Sequence, residues 1–191
     1  MNRTTVPEDR REAYYNERMR ECGPQYDGFD LMSAEVTVSF LYTYDIFHQL
    51  LSRALAQYGL SRSTLNILML LRHGPAEGMQ LHDLGELLLV SRANITGLMH
   101  HLEQKGYVRR VVDSADRRAR FARITKKAEA LLDELMPLHY AHLKSMLQDL
   151  SDDEKRSLLG LFRKTRTSIR AHSEFREQNN STDHQSLEQQ G

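Results

Sequence analysis

The stretch from Gln80 to Thr125, QLHDLGELLLVSRANITGLMHHLEQKGYVRRVVDSADRRARFARIT, limits the possible folds more than any other part of the chain. Leu81, Leu84, Leu87 and Leu88 recur at steps of three and four, which puts apolar groups on one face, so Gln80 to Leu88 reads as a short helix. A tight turn at Leu89 to Ser91 separates it from the next helix. Ser91 can cap that helix through its hydroxyl, Ile95, Leu98 and Leu102 repeat at helical spacing, and Gly106 supplies a C-terminal stop. Two helices joined this closely cross steeply. That is the helix-turn-helix geometry, in which the second helix lies in a major groove with its N-terminal residues toward base edges. Beyond Gly106, segments 107–112 and 119–125 are rich in β-formers and flank a loop of Asp113, Ser114, Ala115, Asp116 and Arg117, the pattern of a hairpin beside the second helix. The expected fold class is mainly α with a small β-hairpin wing.

The run Ser91-Arg92-Ala93-Asn94-Ile95-Thr96, followed at a fixed distance by Asp116-Arg117-Arg118 and closed by Ile124-Thr125-Lys126, resembles the MarR family of winged helix-turn-helix regulators. The resemblance covers roughly Leu31 to Phe175. It implies a winged DNA-binding domain on a helical dimerisation region, an arginine at the wing tip that enters the minor groove, matched by Arg118, and an aspartate that steadies the wing, matched by Asp116. Two positions depart from the family pattern: Gly85 stands where alanine is frequent and Ala128 where glycine is frequent.

The chain divides accordingly. Residues 1–30 are polar and broken by Pro7, Gly23, Pro24 and Gly28, an N-terminal extension that is either disordered or a helix from Glu8 to Glu21, with Tyr14, Tyr15 and Met19 as its apolar side, ordered by a partner subunit. Residues 31–58 and 126–175 form the helical dimerisation region, residues 59–125 the winged helix-turn-helix domain, and residues 176–191 a disordered tail. Val36, Phe40, Tyr44, Phe47, Leu51, Leu55 and Tyr58 follow one face of a helix from Asp30 to Gln57, too long for a small winged domain to cover, so part of that face calls for a second subunit. Ser61 caps a nearly all-apolar helix that ends at His73-Gly74-Pro75. Thr125 caps a helix that bends at Pro137, and Ser151-Asp152-Asp153-Glu154 is a capping box opening a last helix.

Charge and cysteine content narrow the function. The formal net charge is zero, yet from Ser91 to Lys127 the cations Arg92, Lys105, Arg109, Arg110, Arg117, Arg118, Arg120, Arg123, Lys126 and Lys127 face only Glu103, Asp113 and Asp116, which concentrates positive charge where the fold would meet DNA. Cys22 is the single cysteine, so an intrachain disulfide, a Cys-rich zinc site and a CxxC redox pair are excluded. The organic-peroxide branch of the family carries its reactive cysteine about 22 residues before the glycine that ends the first long helix. Counting back from Gly59 reaches Thr37, well downstream of Cys22. No apolar run suits a secretory signal or a membrane span, and a reducing cytoplasm is the expected compartment.

The candidate site follows from these assignments. Ser91, Arg92, Asn94, Thr96 and His100 are the polar residues of the second helix, where Asn can pair with adenine and Arg with guanine, and Arg117 and Arg118 extend the surface along the wing. Relatives in the family bind a small, often phenolic or aromatic carboxylate effector beside the long helix; Tyr42, Tyr44 and His48 are the candidates that this implies. An interior polar network explains the same three residues equally well. A metal-responsive regulator is the alternative drawn from His139 with His142 and His100 with His101, although no Cys, Asp or Glu stands at ligand spacing. A winged module used for protein contact would carry an acidic or neutral wing, whereas this one is basic. No phosphate loop, dinucleotide fingerprint, HExxH or nucleophile elbow is present, so neither an enzyme nor a cofactor is expected. The expected partners are double-stranded DNA, a second copy of the chain and a small aromatic effector, with no membrane.

Overall fold

The computed structural model describes residues 9–112 and 120–188. Along the chain come α1 (Arg10–Cys22), a 3-10 turn (Gly23–Gln25), α2 (Leu31–Ala56), α3 (Arg62–His73), β1 (Met79–Gln80), α4 (Leu81–Leu88), α5 (Arg92–Gln104), β2 (Val108–Val112), β3 (Arg120–Ile124), α6 (Lys126–Met146) and α7 (Asp152–Glu188). The fold is mainly α with a small antiparallel sheet, as the apolar spacing predicts. Two compact units are present, residues 1–135 and residues 136–191.

The first unit is built around α3. Ser61 caps it reciprocally, since Thr64 N donates to Ser61 Oγ at 3.2 Å while Ser61 N donates to Thr64 Oγ1 at 2.7 Å. Leu65, Ile67, Leu68 and Leu71 are buried with Leu84 of α4, Ile95, Met99 and Leu102 of α5, Val108 and Ala122 of the sheet, and Leu132 and Leu135 of α6. Each such large side chain contributes about 1.5–3 kcal/mol on burial, while an exposed ion pair contributes about 0–1 kcal/mol. The apolar cluster therefore sets how α4 and α5 lie. Leu98 is only half-buried, and Met99 takes the inner position that the spacing assigns to it. Positions 95, 98, 102 and 95, 99, 102 fit the helical period equally well, so only the packing of α5 decides between Leu98 and Met99.

Between α4 and α5 the chain turns through a helix C-cap of Schellman form. Val90 N donates to Gly85 O at 3.0 Å and Leu89 N to Glu86 O at 3.1 Å, with Leu89 in the left-handed region at φ 53°. That conformation costs an L-residue roughly 1–2 kcal/mol and is usually given to glycine. The sheet has one strand more than the hairpin: order β1-β3-β2, with Met79 opposite Ala122 in one ladder and Arg110 opposite Ala122 in the other. Gly78, at φ +102°, makes β1 possible, because a Cβ there would lie 2.4 Å from Ala122 O. Two residues are too few to show a periodicity, so β1 is invisible in the sequence.

From Asp9 onward the N-terminal extension packs on its own chain. Asp9 caps α1, accepting from Arg11 N at 2.8 Å, and also accepts from the Tyr42 hydroxyl of α2 at 2.5 Å. Arg11 lies over the Tyr42 ring, 4.5 Å from its centroid, and pairs with Asp45 at 3.6 Å; Arg20 donates to Glu35 at 2.9 Å. These contacts come from α2 of the same chain, where the sequence leaves a choice between disorder and a helix ordered by a partner subunit. Tyr14 and Tyr15 point away, 59% and 42% exposed, and no residue of α1 is buried.

On α2, Leu51 and Leu55 are buried at the C-terminal end, while Val36, Phe40, Leu41 and Leu50 are 46–61% exposed. Thr125 caps α6, accepting from Ala128 N at 3.3 Å, and the helix passes Pro137 without interruption. In the second unit, Ser151 and Glu154 form the expected capping box on α7: Glu154 N donates to Ser151 Oγ at 3.3 Å and Ser151 N to Glu154 Oε2 at 2.8 Å. The helix then continues to Glu188, where the polar composition of residues 176–191 suggests a disordered tail. No Gly or Pro lies between Ser173 and Glu188 to stop it.

Two predictions follow from this packing. A Cβ on Gly85 would meet Val90 O at 3.4 Å and Ile95 Cγ2 at 3.7 Å, ordinary contact distances, so Gly85→Ala should raise stability by roughly 0.5–1 kcal/mol in denaturant unfolding without altering DNA affinity. The Tyr42 hydroxyl, then the Arg11 amide, holds the Asp9 carboxyl below its usual range, and the same hydrogen bond raises the Tyr42 phenol. A lowered carboxyl pKa favours docking above the ordinary carboxylate range and withdraws that support as pH falls through the lowered value; a raised phenol pKa withdraws it as pH rises through the raised value. Amide exchange of α1 should thus accelerate at both extremes in the wild type, and Tyr42→Phe should remove the alkaline dependence and weaken the acid one, because the Arg11 amide still holds Asp9.

Candidate nucleic-acid interface

The buried line of Ile95, Met99 and Leu102 decides which residues α5 presents outward. At helical spacing Ala93 and Gly97 lie opposite that line. Arg92, Thr96 and His100 fall on one flank and Asn94 on the other, with Ser91 at the cap, so the five candidate residues frame a strip of small residues instead of forming one polar face. All five are exposed. They differ in what they have left to offer. Ser91 accepts from Asn94 N at 3.3 Å as the cap, and Thr96 spends its donor on Arg92 O at 2.8 Å. His100 Nε2 meets Gln104 Nε2 at 3.0 Å. The Arg92 and Asn94 side chains make no hydrogen bond or ion pair among the described residues. These two are the groups with full hydrogen-bonding capacity for a base edge, which suits bidentate pairing.

A cleft of about 870 Å³ opens at the junction of α4 and α5, lined by Gln80, His82, Glu86, Leu89, Arg92 and Thr96 among others. Gln80, His82 and Leu89 carry no motif of their own and enter the site through the helix crossing alone. Gly97 has nothing within 4 Å of where its Cβ would stand. Packing among the described residues gives no reason for a glycine in mid-helix, where it costs roughly 0.5–1 kcal/mol relative to alanine.

Several cations of the basic cluster are engaged internally. Lys105 Nζ donates to Gly59 O at 2.6 Å, Lys127 Nζ to Lys105 O at 2.7 Å, and Arg123 Nε to Glu77 O. Arg110 Nε stands 3.0 Å from Glu103 Oε2, tying β2 to α5; it is buried and its N–H is not aimed at that oxygen, so the pair is ionic and not a formed hydrogen bond. Arg92 and Arg109 remain exposed and unengaged among the described residues. Arg109, in the ladder next to buried Val108, is a further candidate for a backbone phosphate. The wing-tip candidates Asp116, Arg117 and Arg118 lie outside the described residues.

The three effector candidates are separated. Tyr42 faces α1 through Asp9 and Arg11. Tyr44 and His48 remain together, ring centroids 5.6 Å apart, with Arg62 of α3 over the Tyr44 ring at 6.0 Å. Two residues on α2 differing by two positions point nearly opposite ways, which the linear spacing of Tyr42 and Tyr44 already implies. Among the described residues no three His, Cys, Asp or Glu side chains are grouped to hold a metal. Burial and the neighbouring His142 push His139 below its usual range. Cys22 is exposed and free, and no described helix is long and apolar enough to cross a membrane.

A capped helix presenting unpaired Arg and Asn side chains, braced by a crossing helix and a basic three-stranded sheet, defines a winged helix-turn-helix DNA-binding protein. A model of the MarR family matches residues 58–119. The transcriptional regulator MhqR of Bacillus subtilis (strain 168) is 32% identical over 104 residues, 54% of this chain and 70% of MhqR. Sco3205, a MarR family transcriptional regulator from Streptomyces coelicolor solved in complex with DNA, matches with a TM-score of 0.66 at 21% identity, over 70% of this chain and 84% of that one. The structure of Bordetella bronchiseptica BpsR, described for regulation of DNA binding by 6-hydroxynicotinic acid, matches with a TM-score of 0.61 at 21% identity, over 68% of this chain and 91% of that one. The chain belongs to the MarR family: it is a DNA-binding transcriptional regulator and not an enzyme.

Gly97→Ala provides a direct check on the groove-facing strip. The substitution should raise stability by roughly 0.5–1 kcal/mol and yet weaken DNA binding, because a methyl group enters the space where the helix backbone meets the bases. Unchanged affinity in a fluorescence anisotropy titration would place the strip away from the DNA.

Proposed function

We propose that the protein is a homodimeric, ligand-responsive regulator, acting as a repressor on a pseudo-palindromic operator in the cytoplasm. Its two α5 helices enter successive major grooves, about one helical turn apart, with Arg92 and Asn94 reading bases, Ser91, Thr96 and His100 completing the contact, and Arg117 and Arg118 of the wing, steadied by Asp116, reaching the flanking minor groove. The observation that carries the dimer is the exposed apolar stripe on α2, where Met32, Val36 and Phe40 are 51–66% exposed along one face. An apolar surface of that kind favours association. Leu161 and Ile169 on α7, 61% and 59% exposed, lie on one side of that helix and offer a second such surface. In this reading residues 31–58 and 126–175 serve dimerisation and residues 59–125 DNA binding.

Tyr44, His48 and Arg62 suit an aromatic carboxylate: two rings to stack on and a guanidinium to pair with the acid. The 6-hydroxynicotinic acid of BpsR has that chemistry. An effector there need only prefer a spacing of the two α5 helices that does not match the operator. A preference of about 2.7 kcal/mol lowers affinity about a hundredfold.

Selection of bound sequences from random duplex DNA, with affinity for the recovered site followed against salt, tests this reading. An inverted repeat with a steep salt slope is expected, together with sedimentation as a dimer. On that site Asn94→Ala should lose about 1–3 kcal/mol of discrimination at one base pair, and Arg118→Ala should flatten the preference for A·T in the flanks. Equal losses on selected and random DNA for both variants would show that neither reads sequence.

A further inference from the structure

Leu89 breaks two local rules at once. It occupies the left-handed C′ position of the α4 cap, at φ 53°, where glycine is the residue without a steric penalty. Its side chain is 87% exposed, more than any other large apolar residue among those described. The backbone hydrogen bonds of the cap, from Leu89 N and Val90 N, would form equally with glycine. Burial therefore does not offset the strain, and neither does hydrogen bonding. Nothing among the described residues accounts for a leucine at this position.

Its surroundings indicate what would. Leu89 lines the same cleft as Arg92 and Thr96, two residues before the cap residue Ser91, so whatever surface α5 approaches also approaches Leu89. In this protein that surface is DNA. Two parts of a duplex offer apolar contact at the edge of the major groove: the C5-methyl of thymine and the carbons of deoxyribose. We propose that Leu89 is an apolar DNA-contact residue, held outward by its left-handed backbone so that its isobutyl group meets one of these groups when α5 enters the groove. The assignment rests on the placement of α5 in the major groove, and it adds a contact that polar-residue reasoning passes over.

The test uses the full-length protein and the duplex recovered by selection from random DNA. Leu89→Gly and Leu89→Asn both suit the left-handed backbone, so both should raise Tm by about 2–4 °C, while their Kd for the duplex rises about threefold to tenfold. Leu89→Met keeps an apolar chain and should bind within about twofold of wild type, which separates loss of contact from loosening of the turn. Replacing thymines by uracil one at a time then distinguishes the two sources. If one replacement weakens the wild type and leaves Leu89→Gly unaffected, the contact is to that methyl group; if none does while Leu89→Gly still binds weakly, the contact is to deoxyribose. Wild-type affinity in both Leu89→Gly and Leu89→Asn would overturn the proposal, as would equal losses in Leu89→Met and Leu89→Asn. Failure of the wild type to bind any duplex would refute the groove placement itself, and that result appears before any variant is compared.

Discussion

In the proposed reading, what α5 presents to DNA depends on the burial of its opposite side. Ile95, Met99 and Leu102 are each no more than 2% exposed, and with Leu84 and the α3 leucines they form the best-packed region of the first unit. Rotating α5 to bring a different set of residues outward would expose three large apolar side chains, at about 1.5–3 kcal/mol each. No surface ion pair can compete with that. The outward strip of Ala93 and Gly97, with Arg92 and Asn94 on its flanks, is thus fixed by hydrophobic packing on the opposite side. A recognition surface defined in this way is in place before any nucleic acid arrives, which limits the conformational entropy lost on binding.

The polar interactions around α5 set position more than energy. Lys105 reaches back to the carbonyl of Gly59 and Lys127 to that of Lys105, so two lysines stitch the end of α5 to the segments before α3 and after β3. Glu103 and Arg110 connect α5 to β2. These links join the helix to the sheet that leads into the wing, and they use cations which a simple count of charge would assign to phosphate. The basic character of residues 91–127 is consequently in part structural, and the positive field toward DNA rests on fewer groups than the composition suggests.

The helix-turn-helix was legible because its information is local. Leucine spacing, a serine cap and a glycine stop each act within a few residues, and the structure reproduces α4, α5 and their caps within a residue. The polar candidates of α5 were legible as a set, but their division into two flanks required the true buried line, in which Met99 replaces Leu98. Contacts distant in sequence were not legible. The pairing of β1 with β3 depends on Gly78 lying against Ala122, and the docking of α1 depends on Asp9 meeting Tyr42, 33 residues away. Tyr42 looked like a partner of Tyr44 because the two are near in sequence, whereas a helix turns them to opposite sides. Leu89 and Gly97 show the complementary lesson: where a residue contradicts local preference without an internal reason, function is the place to look.

The hairpin of α1 on α2 carries a further implication. No residue of α1 is buried, and the contacts of the helix and its cap with α2 include an exposed hydrogen bond, two ion pairs and a cation over a ring. Supplied as a separate peptide, such a helix would scarcely bind. The short connection through Gly23–Asp30 changes the arithmetic, because a tether of this length holds α1 at an effective concentration of about millimolar beside its site. Weak contacts suffice under those conditions, and the docked arm behaves as a built-in ligand. Its occupancy is independent of protein concentration, whereas any association between copies of the chain grows with it. Dilution would separate the two kinds of contact, leaving the arm in place after its neighbours have gone.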